Sequence, residues 1–363
     1  TALSFVHLSA FIPREGGGYE YAHELVSPFG GFISGWMWLL SNIVAGAAVA
    51  LGFAGYLALY IPLPANLIAA IACIGITAIN YWGVKESSVL NNALVIFKLF
   101  VLFLFVAFGI GLIVGSNFTP FAPFGPLGVM EGASVIFFAF SGFGRVAMLS
   151  EEVKDPTRTV PRAIILALGI SVVIYILVSG VALGLVGYPV LASSPSPLAT
   201  AAEVESSFMA NLMAVGAMAA TLSVLLTTLL GVSRITFAMS RNHDLPAILA
   251  KVHPKRGTPY ISVLIFGSLM TVFALTTNIL AAVAISNFGS LVYYMLANLA
   301  AIRMRVKLTT KMLATLGLIS CGALLVFLTY GAWLLGIGAL GLGSLYYYFG
   351  VSKAKKRGTE PGP

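Results

Sequence analysis

Long apolar runs separated by short polar connections dominate the chain. They fall at about 29–59, 66–83, 89–114, 127–149, 163–187, 207–239, 259–276, 279–301, 309–329 and 331–350. Each reaches the length of about 20 apolar residues that a helix needs to cross a bilayer. The pattern therefore predicts ten transmembrane helices. An apolar run at residues 2–13 is shorter. At 1.5 Å per residue it covers about 18 Å of a hydrocarbon core of about 30 Å, so it is read as part of a span. The chain begins with Thr1, with no basic n-region ahead of it, so a signal peptide does not explain the start and upstream residues are expected.

Composition carries the same message. Of 363 residues, 59% are hydrophobic and 9% charged, and the mean hydropathy is +0.99. A soluble domain carries roughly 25% charged residues, so a soluble enzyme is excluded. The two cysteines, Cys73 and Cys321, lie inside apolar runs and read as small buried hydrophobes, with neither a disulfide framework nor a metal spacing.

Charge then fixes an expected orientation. Three of the 20 basic residues, Lys98, Arg145 and Arg234, lie within spans, and the other 17 all fall on alternate connections. One side holds Arg14, Lys85, the runs at 154–162, 241–256 and 303–311, and a tail with Lys353, Lys355, Lys356 and Arg357. The connections at 60–66, 116–126, 188–206, 277–278 and near Tyr330 hold none. Lys and Arg collect in cytoplasmic loops, which predicts a cytoplasmic C-terminus. The +8 net charge is accounted for without nucleic acid. The tail either touches anionic lipid or is simply solvated.

Ionisable groups within a bilayer mark pathways or relays by default. Arg145 and Arg234 are about 10 Å from the cytoplasmic interface, close enough for a long side chain to snorkel, and a structural role is expected for both. Lys98 lies about ten residues, or roughly 15 Å, beyond its connection. Burial disfavours a charged ammonium, so Lys98 either exchanges a proton in a working cycle or is a permanently paired structural group. In the segment VIFFAFSGFGRVAML at 135–149, Ser141, Gly142 and Gly144 interrupt a helix. Each glycine weakens a helix by about 1 kcal/mol relative to alanine. Such a place is either a helix break lining a cavity or a close contact between helices made by small residues. The hydrophilic stretch SEEVKDPTRTVPRAI at 150–164 follows, and the Gly-rich connection PREGGGYEY at 13–21 is too polar and irregular to belong to a span.

Several segments together resemble the amino acid, polyamine and organocation (APC) transporter superfamily, in particular its bacterial and archaeal amino acid permeases. These are TALSFVHLSAFIPREGGGYEY at the start, GWMWLLSNIVAGAAVALGFAGY at 35–56, FFAFSGFGRVAMLSEEVKDPTRTVPRAI at 137–164, and SRNHDLP at 240–246. The resemblance implies an all-α, polytopic membrane protein with the LeuT-like 5+5 inverted-repeat fold, helices 2–12 present and the first helix missing. Residues 1–116 would be the remainder of the first repeat, 127–306 the second repeat, 307–350 helices 11 and 12, and 351–363 a cytoplasmic tail.

The same resemblance implies a secondary active transporter in the plasma membrane, with an amino acid and protons as partners, no cofactor and no enzymatic activity. Proton-coupled uptake by alternating access is the expected mode, and exchange or export on the same fold is the alternative. Substrate would bind at the unwound sixth helix, its amino group to the backbone of Phe138, Ala139 and Ser141, with Gly142 also in the site and the Phe143 ring as a gate above it. Lys98 matches the fifth-helix lysine that some proton-coupled members place where sodium-coupled relatives bind sodium, with Thr221 and Ser223 as its nearest polar neighbours on the eighth helix. Two positions depart from the pattern. His7, a proton relay or a hydrogen-bonded packing residue, stands where many members carry an acid, and Arg145 stands where a small or apolar residue is common. A membrane-embedded enzyme is the competing class. Against it, HExxH and GxSxG are absent, and His7, His23, His243 and His253 do not form a catalytic motif with acidic partners in sequence.

Overall fold

The computed structural model describes residues 1–14, 16–83, 88–148, 153–254 and 256–351. The basic tail from Lys353 to Arg357, with Lys85, Glu151, Glu152 and Lys255, lies outside the described residues. Among the described residues there are fourteen α-helices and no strand. In chain order they are α1 (Ala2–Phe11), α2 (Gly18–Leu25), α3 (Pro28–Leu57), α4 (Ala65–Trp82), α5 (Ser88–Gly109), α6 (Gly125–Phe140), α7 (Gly144–Met148), α8 (Pro156–Ser193), α9 (Pro197–Ala202), α10 (Ser207–Arg241), α11 (Tyr260–Thr276), α12 (Ile279–Arg303), α13 (Leu308–Val326) and α14 (Tyr330–Tyr346).

Among the described residues nine helical segments are long and apolar enough to span a bilayer, with α6 and α7 counted as one. The tenth expected span is α11, a shorter apolar helix of 17 residues, at the lower end of the spanning range. At 38 residues α8 exceeds what one crossing needs, and its backbone breaks at Gly187, where φ is +76°. Only glycine enters that conformation at no steric cost. Asn117 Nδ2 and the Val114 N–H both donate to the Gly184 carbonyl there, at 2.8 and 2.9 Å.

The pair α3 and α12 forms the centre of the bundle, with 78% and 67% of their most apolar windows buried, against 17% for α5, α6–α7, α8 and α14 at the periphery. Lipid tails are as apolar as leucine, so helices associate through close packing of small residues and interhelical hydrogen bonds. Both operate here. Gly289 of α12 sits so close to α3 that a Cβ there would lie 2.6 Å from the Met37 carbonyl oxygen. Beside it the Ser41 hydroxyl lies 2.6 Å from that of Ser290 and 3.1 Å from that of Ser286. Asn298 joins α1 to α12 by accepting from the Ser4 hydroxyl at 2.7 Å.

The Gly-rich connection before α3 is more ordered than its polarity suggests. Gly16 and Gly17 adopt φ of +109° and +53°, which turns the chain into α2, and the Gly18 N–H donates to the Tyr293 hydroxyl at 2.8 Å. This short helix packs under the bundle with Tyr19, Glu20 and Tyr21 buried. Tyr19 donates to Asp244 Oδ2 at 2.8 Å, and Asn242 Nδ2 donates to the Tyr19 hydroxyl and to Glu20 Oε1, both at 2.9 Å. The SRNHDLP turn after α10 is thereby locked to α2.

Cys73 and Cys321 are buried and unbridged. His7 is exposed on α1 and does not pack in the interior as a hydrogen-bonded core residue.

Candidate functional site

A cavity of about 490 Å³ lies between α3, the α6–α7 junction, α8, α10 and α12. Its volume falls within the 300–1,000 Å³ range of small-molecule sites. The α6–α7 junction supplies Phe138, Ala139, Phe140, Ser141, Gly142, Phe143 and Arg145 to the lining. Facing it are Trp38, Ser41 and Asn42 of α3, Ser171 and Tyr175 of α8, Thr221 of α10, and Ser286 and Ser290 of α12. All five residues expected to contact substrate therefore meet at one wall.

The expected break is milder than an unwound segment. Residues Ser141–Phe143 form a single 3-10 turn between α6 and α7, and Gly144 keeps a right-handed helical φ of −59°. The reason lies in the neighbours. A shift from α to 3-10 pairing frees carbonyls that must find donors in an apolar setting. Tyr175 donates to the Ala139 carbonyl at 3.1 Å, Tyr294 donates to the Ser141 carbonyl, and the Ser141 hydroxyl donates to the Phe138 carbonyl at 2.9 Å. Phe143 is 8% exposed. Its ring stacks on Tyr294 at 4.8 Å between centroids and meets Phe5 edge-on at 5.4 Å.

Arg145 departs from expectation. Instead of snorkelling to the interface it turns inward, and its Nε and Nη2 both donate to Asn42 Oδ1, at 3.3 and 3.1 Å. Asn42 is held in turn by its own Nδ2, which donates to the Trp38 carbonyl at 2.8 Å.

A second cavity of about 270 Å³ holds Lys98, with Tyr56, Gly216, Ala220 and Thr221 among its lining residues. Ala220 and Thr221 line both cavities, so the two spaces meet across one turn of α10. Thr221 therefore shares the surroundings of Lys98, as expected. Ser223 does not. Two residues correspond to about 200° of helical rotation, and Ser223 is buried away from both linings.

Sequence reasoning missed Ser41, Asn42, Ser286, Ser290, Tyr175 and Tyr294. The available signal was weak: polar residues in apolar spans, with Ser286 and Ser290 four apart and so on one helix face. Among the described residues no group of histidine, cysteine and acidic side chains can hold a metal ion.

An all-helical membrane bundle whose central cavity, largely apolar with a few converging polar groups, lies at an interrupted helix defines a transport-type membrane protein. A family profile described as "Amino acid permease" matches residues 1–351. An uncharacterized transporter of Mycobacterium tuberculosis is 35% identical over 351 residues, which cover 95% of this chain and 79% of that protein. The branched-chain amino acid permease of Bacillus subtilis is 30% identical, with 84% of this chain and 70% of the relative covered. The methylthioribose transporter of the same organism is 35% identical over the same shares. The chain belongs to the amino acid permease family. It is a multi-pass membrane transporter and not an enzyme.

Proposed function

We propose that the protein takes up amino acids across the plasma membrane as a proton-coupled secondary transporter, with its C-terminus in the cytoplasm. Substrate occupies the central cavity against Phe138, Ala139, Ser141, Gly142 and Phe143, and Lys98 with Thr221 carries the coupling proton. The observation that supports this reading most is the shared wall. Lys98 makes no hydrogen bond or ion pair with the described residues, and its cavity adjoins the substrate cavity through Ala220 and Thr221. A protonation change at Lys98 thus acts on the helix that substrate touches, and both events bias the same equilibrium between outward- and inward-open states. The branched-chain amino acid permease among the relatives supports the substrate class.

The test is radiolabelled amino acid uptake into proteoliposomes under an imposed pH gradient. Uptake is expected to rise with an inward proton gradient and to lose that dependence in Lys98→Ala. Uptake indifferent to the gradient, or full coupling in Lys98→Ala, overturns the proton mechanism and favours exchange.

A further inference from the structure

Among the described residues the central cavity has one formally charged lining residue, Arg145, and the guanidinium is only partly engaged. Asn42 Oδ1 takes the Nε and Nη2 donors, which uses one edge of the guanidinium. The other edge, Nη1 with the second Nη2 proton, bonds to no described residue, and no described carboxylate lies within ion-pair distance. A guanidinium held this way presents the planar fork that fits a carboxylate with two parallel hydrogen bonds.

The carbonyls of Phe138, Ala139 and Ser141 each accept one hydroxyl, from Ser141, Tyr175 and Tyr294 respectively, and each keeps a second lone pair for the ammonium that every amino acid carries. Selectivity then falls to the net charge of the substrate beside Arg145. A zwitterionic substrate leaves the cavity with the full arginine charge, a cationic one doubles it, and a substrate of net charge −1 cancels it. At membrane depth an uncompensated charge is costly, which favours the substrate that cancels it.

We propose that Arg145 is the specificity-determining residue of this site, that its free edge binds a substrate carboxylate, and that the preferred substrates are acidic amino acids of net negative charge. This rests on the reading of the central cavity as the substrate site.

The test is binding of tritiated glutamate to the purified full chain by scintillation proximity, with unlabelled aspartate, glutamine, leucine and lysine as competitors. Glutamate is expected to bind at least 10-fold more tightly than its neutral isostere glutamine, and lysine is expected to compete least. In Arg145→Gln the glutamate-to-glutamine preference is expected to fall to near unity, while Arg145→Lys keeps part of it. Asn42→Asp provides a second variant, because it places a protein carboxylate on the guanidinium and is expected to abolish the same preference. Glutamine binding as tightly as glutamate to the wild-type protein overturns the proposal, as does a preference unchanged in both Arg145→Gln and Asn42→Asp. Leucine or glutamine preferred over glutamate overturns the assignment to Arg145 and leaves the cavity as the amino acid site. Failure of every amino acid in the panel to bind overturns both.

Discussion

Replacing Gly289 by alanine tests whether the α3–α12 contact holds the cavity together. The added Cβ would sit 2.6 Å from the Met37 carbonyl oxygen, 3.0 Å from Ser41 Cβ and 3.2 Å from the Ser41 nitrogen, whereas ordinary contact begins at 3.4 Å. Two of these three atoms are backbone, so no side chain can swing aside to relieve the clash, and the two central helices must separate. Overpacking of this kind costs about 1–3 kcal/mol. Separation also stretches the Ser41 contacts to Ser290 and Ser286, and interhelical hydrogen bonds in membranes contribute roughly 0.6 kcal/mol each on average. Gly289→Ala is therefore expected to destabilise the protein by about 2–4 kcal/mol. Because Ser41, Asn42, Ser286 and Ser290 all line the cavity, amino acid affinity is expected to fall as well. The assay is reversible denaturation in mixed micelles together with ligand binding. Gly338→Ala on α14 is the control, since nothing lies within 4 Å of a Cβ there. It is expected to be neutral or stabilising by up to about 1 kcal/mol through helix propensity. If Gly289→Ala stays within about 0.5 kcal/mol of wild type, the range of an ordinary surface substitution, the packing argument is wrong.

Two further expectations concern groups outside the spans. Glu205, between α9 and α10, has both carboxylate oxygens shielded and without a partner among the described residues, and burial pushes its carboxyl up from 4.5 to about 7. A folded-state value above the unfolded one means its contribution is full at acid pH and is lost as pH rises through about 7,. Glu205→Gln is accordingly expected to be the more stable protein above neutrality and to lose that pH dependence, read from melting temperatures across pH 4 to 9. Burial likewise holds Glu20 above the usual carboxylate range, against the opposing effect of the Asn242 hydrogen bond. Its contribution also fades as pH rises through the raised value, and Glu20→Gln should flatten that part of the profile. Tyr19→Phe removes the hydrogen bond to Asp244 and is expected to cost about 1.5–3 kcal/mol, the range for bonds to charged groups; an unchanged denaturation midpoint would count against the lock between α2 and the turn after α10.

Helix positions are legible in the chain alone. Apolar runs of spanning length need no partner to be recognised, because lipid forces each one to satisfy its own backbone as a helix. The ends of α3, α10 and α12 and the shortness of α11 follow the runs closely. Ser141, Gly142 and Gly144 marked the interruption in α6–α7, although its depth depended on tyrosines from α8 and α12 that cap the freed carbonyls. The direction each side chain faces came from packing. A span that is apolar on all sides has little periodic contrast to reveal which face meets protein and which meets lipid. Depth along the chain therefore placed Arg145 within reach of the interface, while packing against Asn42 turned it into the cavity. Thr221 and Ser223 looked equivalent beside Lys98, and helix rotation kept one and removed the other. The central pairing of α3 with α12 was equally hidden, because it rests on Gly289 and three serines whose effect exists only when the two helices touch.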